Sequence, residues 1–128
     1  MKTNKFRVWD TLAKHFILPD KGYQGHYILD LNGRFHDLSN GSGGDEYIVQ
    51  QYIGVDDKNK NPIYEGDIVS FQYRDEGLYH GVVDFDDMYA GYSVQKSLAF
   101  FGNMQITFHN SDELTVIGNI FENPELLK

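Results

Sequence analysis

The chain has 128 residues, no cysteine, and 19 acidic against 11 basic side chains, for a formal net charge of −8. A chain of this length buries about two thirds of the surface it exposes when unfolded, enough for a core without a staple. The lack of cysteine excludes disulfides, thiolate zinc sites, iron–sulfur clusters and a cysteine nucleophile together.

Taken along the chain, period-2 alternation of Val, Ile, Tyr and Phe dominates, the pattern of a mainly β (β-rich α+β) protein. Lys5 to Trp9 alternates as a first strand, Asp10 to Ala13 turns, Lys14 to Leu18 returns, and Pro19-Asp20-Lys21-Gly22 breaks the chain. His26 to Leu38 folds back at Asn32-Gly33, the dipeptide that best tolerates the positive φ of a tight hairpin. A three-residue loop of Leu31, Asn32 and Gly33 then sets Asp30 opposite Arg34 and Leu29 opposite Phe35, pairs that match in chemistry. Ser39-Asn40-Gly41-Ser42-Gly43-Gly44 reads as a linker, because its small residues hold few backbone angles fixed. With no Lys-Ser/Thr behind it, it does not cradle phosphate. Residues 1–44 are therefore expected as an N-terminal β-hairpin region and residues 45–128 as a second domain.

In that second domain strands are expected at Tyr47–Val55, Asp67–Arg74, Tyr79–Phe85, Met104–His109 and Leu114–Ile120. Val83 and Phe85 are expected to face inward, leaving Asp84 and Asp86 in water. Five strands in a stretch this short, bent and punctuated by glycine, fit a small SH3-like, partly open β-barrel better than a sandwich. Asn123-Pro124-Glu125 reads as the start of a short C-terminal helical turn that packs Leu126 or Leu127.

Lys5-Phe6-Arg7-Val8-Trp9-Asp10, Gln51-Tyr52-Ile53-Gly54, Ile63-Tyr64-Glu65-Gly66-Asp67-Ile68-Val69, Gly81-Val82-Val83 and Val116 to Pro124 resemble, in this order, the YopX family of small phage and prophage proteins. The resemblance implies a phage-encoded, mostly β protein acting in a bacterial cytoplasm; it implies no reaction and carries no catalytic residue. Two positions depart from the family pattern. Lys60 stands where the family has glycine, so the turn before Ile63 meets a steric cost that glycine avoids. Tyr52-Ile53-Gly54 replaces the Tyr-Thr-Gly form and loses its hydroxyl.

Side chains that carry chemistry are present without the patterns that organise them. Asp57 to Asn61 mimics a calcium loop, but Pro62 takes the glycine position and Ile68 that of the bidentate glutamate, which leaves a polar turn. Glu65, Asp67, Asp84, Asp86 and Asp87 are the densest carboxylate set. Glu65-Gly66-Asp67 reads more simply as a turn whose Asp caps backbone N–H groups than as an acid/base pair. His15, His26, His36, His80 and His109 occur in no metal-ligand spacing, and there is no nucleophile elbow, Walker loop or dinucleotide fingerprint. The expectation is a protein that is not an enzyme, with no cofactor and no metal site.

Charge and aromatic content carry the functional reading. Residues 1–38 sum to +2 and residues 39–128 to −10, so the larger part repels phosphate backbones and nonspecific nucleic-acid binding is not expected. Nothing approaches the ~18 apolar residues of a membrane span, so no membrane partner is expected. Aromatic side chains outnumber what one small core hides, and such residues are enriched at protein interfaces. Trp9, Asp84, Asp86, Asp87, Tyr89, Tyr92, Phe100 and Phe101 form the candidate interaction surface. The expected partner is a host or phage protein, or further copies of the chain gathered through the N-terminal hairpins. The alternatives are a nucleic-acid-associated small barrel in phage replication or transcription, and a hydrolase or acidic inhibitor of a host enzyme working through Glu65, Asp67 and Asp84.

Overall fold

The computed structural model describes residues 4–18, 27–39, 41–72, 77–95 and 104–127. They fall into two units, one of residues 4–51 and one from Tyr52 onward.

In the N-terminal unit, β1 (Phe6–Asp10) pairs antiparallel with β2 (His15–Ile17) and with the first half of β6 (Tyr47–Asp56), which sets Trp9 opposite both Phe16 and Ile48. The β1–β2 turn forms because Asp10 Oδ1 accepts the N–H groups of Leu12 and Ala13, each at 3.0 Å. A second sheet orders β3 (Tyr27–Leu29), β4 (Phe35–Asp37) and β5 (Ser42–Gly43). Its first hairpin has the expected register: Leu29 faces Phe35, the Asp30 N–H donates to the Arg34 carbonyl at 3.0 Å, and Gly33 takes φ +78°. The Asp30 carboxylate accepts the backbone N–H groups of Asn32 and Arg34 and meets His36 Nε2 at 3.0 Å.

Two expectations for this unit are corrected. The stretch read as a linker contains β5, whose Ser42 and Gly43 pair with Asp37 and His36. The units meet at 51/52, inside β6, instead of at 44/45, because residues 47–51 pair residue for residue with β1.

In the C-terminal unit, Tyr52 and Asp56 of β6 oppose Tyr64 and Pro62 of β7 (Pro62–Tyr64). The remaining strands are β8 (Asp67–Gln72), β9 (Leu78–Asp86), β10 (Gly91–Gln95), β11 (Met104–Gln105) and β12 (Thr115–Asn119). They form an antiparallel sheet in the order β11-β10-β9-β8-β12, curled as a half-barrel. Ile53, Ile63, Val69, Phe71, Val83, Val94 and Leu114 close its core. The chain is thus mostly strand, with the expected short C-terminal turn formed as a 3-10 turn at Pro124–Leu127, although neither Leu126 nor Leu127 is buried in it. No helix among the described residues is long and apolar enough to cross a membrane.

The strand list also differs in detail. β7 and β10 were not anticipated. The alternation from Met104 to His109 yields only the two paired residues of β11, because Asn110 Oδ1 takes the Thr107 N–H at 2.8 Å and Asn110 Nδ2 donates to the Gln105 carbonyl at 2.8 Å, bending the chain into a turn. Tyr73 and Arg74, the expected end of the second strand, lie outside the described residues. Asp57 is more than a polar turn residue. It is 2% exposed, its Oδ1 accepts the N–H groups of Asn59 and Asn61, and its Oδ2 accepts that of Val116 on β12 at 2.9 Å.

Candidate functional site

The clearest surface feature of the C-terminal unit is the hairpin of β9 and β10. Asp86 stands opposite Gly91, so the connection is the four residues Asp87 to Ala90. Asp86 shapes it: Oδ1 accepts the Met88 N–H at 3.0 Å and the backbone carbonyl accepts the Tyr89 N–H at 3.2 Å, while Ala90 takes a left-handed φ of +51°. Local hydrogen bonding therefore holds the loop in a shape that leaves Met88 84% and Tyr89 56% exposed.

Below the loop the two faces of the hairpin differ in chemistry, because successive strand residues point to opposite sides. One face carries Val83 opposite Val94 in the core and then, nearer the loop, Phe85 opposite Tyr92, their rings edge-on with centroids 5.5 Å apart. The other carries Asp84 and Asp86 on β9 and the buried Ser93 of β10 opposite Asp84; Ser93 Oγ lies 3.5 Å from Asp86 Oδ2 and accepts Gln95 Nε2 at 3.0 Å. Asp84 Oδ1 accepts the Phe85 N–H at 2.8 Å. Burial, reinforced by the negative charges of Glu65 and Asp84, raises the Tyr92 pKa and keeps its phenol protonated. From Asp75 to Gln95 there is no lysine or arginine.

Asp84, Asp86, Asp87, Tyr89 and Tyr92, five of the expected surface residues, thus lie on one hairpin. Tyr92 is a half-buried residue of β10. Trp9 is a correction. It is 5% exposed in the N-terminal unit, where its ring packs edge-on against Phe16 at 4.8 Å, so it is a core residue and not part of a surface. Phe100 and Phe101 lie outside the described residues. Phe85 was expected inside and is 44% exposed. It keeps the inward phase of Val83, but the buried residues of this hairpin stop at the Val83–Val94 pair, and beyond it only its partner Tyr92 packs against the core.

Of the Glu65-Gly66-Asp67 turn, Asp67 serves the backbone. Asp67 is buried and its Oδ2 accepts the Tyr64 N–H at 2.8 Å, the cap expected of the Glu65-Gly66-Asp67 turn. A cleft of about 320 Å³ lies elsewhere in the unit, between the turns carrying Lys60 and Phe108. In it Tyr52 donates its hydroxyl to Asp56 at 2.8 Å, and burial with that hydrogen bond pushes the Tyr52 pKa up to about 12. A phenol held so firmly protonated is a poor base or nucleophile near neutrality. Among the described residues no three His, Asp or Glu side chains converge as metal ligands.

With this geometry in place, relatives are recognisable. The family described as YopX protein matches the chain over residues 5–128. Protein EF1440 from Enterococcus faecalis is 24% identical, with a TM-score of 0.65 and 100% of both chains covered. Protein yopX from Bacillus subtilis is 22% identical, with a TM-score of 0.67 over the same full coverage. At these identities the likeness is one of fold. No curated protein matches the chain.

Proposed function

The chain belongs to the YopX family, and from that premise we propose that it is a non-enzymatic accessory protein of phage type. It acts in the bacterial cytoplasm, with its curled C-terminal sheet serving as an SH3-like scaffold that presents the β9–β10 hairpin to a protein partner. One observation carries this reading. The hairpin holds Phe85, Met88 and Tyr89 out in water, within a stretch whose charged side chains are all carboxylates. Exposed aromatic and thioether groups favour association, while the carboxylates keep the patch soluble and select against acidic partners and nucleic acid. Contacts through the N-terminal hairpins receive less support, because Arg7 and Trp9 are buried within their own unit.

The test is affinity capture from host lysate with and without nuclease, using the wild-type chain and a Met88→Ser/Tyr89→Ser variant. The expected result is a protein retained after nuclease and lost with the variant. Capture abolished by nuclease would favour the nucleic-acid-associated alternative, and capture unaffected by the variant would place the contact elsewhere.

A further inference from the structure

We propose that the partner is engaged through an arginine side chain, whose guanidinium stacks on the Phe85–Tyr92 aromatic pair on the non-carboxylate face of the hairpin. This rests on the protein-binding reading above and adds the chemistry of the contact. Phe85 is the exposed member of the pair, and the Tyr92 ring, edge-on at 5.5 Å, fixes its orientation. The pair sits in a negative field: Glu65 and Asp84 lie close enough to Tyr92 to disfavour its phenolate, and no lysine or arginine occurs from Asp75 to Gln95.

A cation is the complement of that field, and its attraction to the aromatic quadrupole adds to its attraction to the carboxylates. Arginine fits better than lysine because its planar, weakly hydrated guanidinium stacks flat on a ring, whereas the compact ammonium of lysine is strongly hydrated. The Asp86-centred turn and the Ser93–Gln95 hydrogen bond hold the surface in shape beforehand, which reduces the ordering entropy of binding.

The experiment titrates the full chain with three fluorescent peptides of one sequence carrying arginine, lysine or citrulline at a single central position, at physiological ionic strength. The arginine peptide is expected to bind about three- to fivefold more tightly than the lysine peptide, the factor that stacking supplies at an exposed site, with citrulline weakest. Phe85→Leu, which keeps the apolar bulk, is expected to bring arginine down to the level of lysine while weakening lysine only slightly; Glu65→Gln is expected to weaken both. Equal affinity for arginine and lysine, or an arginine preference that survives Phe85→Leu, overturns the proposal. Neither result touches the protein-binding reading, which is tested separately by nuclease-resistant capture and by the loss of that capture in the Met88→Ser/Tyr89→Ser variant.

Discussion

Lys60 adopts φ +66°, a conformation in which a β-carbon crowds its own backbone. The turn keeps it because Asp57 binds on both sides of it, accepting the N–H groups of Asn59 and Asn61 through its carboxylate and that of Lys60 through its carbonyl. Lys60→Gly is therefore expected to stabilise the protein by about 0.5–1 kcal/mol, relief of strain outweighing the greater freedom of the unfolded glycine; urea denaturation monitors it. Asp57→Asn sets a donor against at least one of the N–H groups that the carboxylate now accepts, and about 3 kcal/mol of destabilisation is expected by the same method.

A third residue titrates. The hydrogen bond from His36, followed by that from the Arg34 N–H, holds the Asp30 pKa at about 2 against an ordinary 3.8. A depressed carboxylate pKa stabilises the fold above the unfolded value, so this contribution is full above about pH 4 and vanishes as pH falls toward 2. The Arg34 amide proton resonance should shift through that window and stay level in Asp30→Asn.

At the scale of elements, what could be read from sequence depended on whether local and tertiary preferences agreed. Asn32-Gly33 has one economical use, a tight hairpin, and its register followed from the residues on either side. The Pro124–Leu127 turn was legible for the same reason. β10 was not, because Tyr89-Ala90-Gly91-Tyr92 has the composition of a loop and Ser93 looks polar; only pairing with β9 makes Ser93 a buried residue. Met104 to His109 failed in the other direction, since perfect alternation lost to the side-chain hydrogen bonds of Asn110. At the candidate site the carboxylates and Tyr89 were legible from composition, whereas Phe85 depended on where the core stops. The packing of β9 on β10 also makes a prediction. A β-carbon on Gly81 would overlap Val94 Cγ1 and lie 3.0 Å from the Gln95 carbonyl oxygen. Gly81→Ala is expected to cost about 1–3 kcal/mol, read as a lowered melting temperature.

For the molecule as a whole, charge and fold point the same way. A −10 stretch following a +2 start is a poor ligand for phosphate backbones and a good one for cationic protein surfaces. The curled sheet buries Val83 and Val94 and packs Tyr92 against the same core, while Met88 and Tyr89 in the connecting loop stay exposed and can carry contact chemistry at little cost in stability. On this account Met88→Ser and Tyr89→Ser leave the melting temperature nearly unchanged, as expected for exposed positions. The central claim is that this hairpin is the docking surface for a protein. The most direct test is amide hydrogen exchange of the chain alone and bound to the nuclease-resistant protein it captures. The account predicts new protection concentrated at residues 84–92; protection confined to other segments, with this hairpin exchanging as fast as in the free chain, would contradict it.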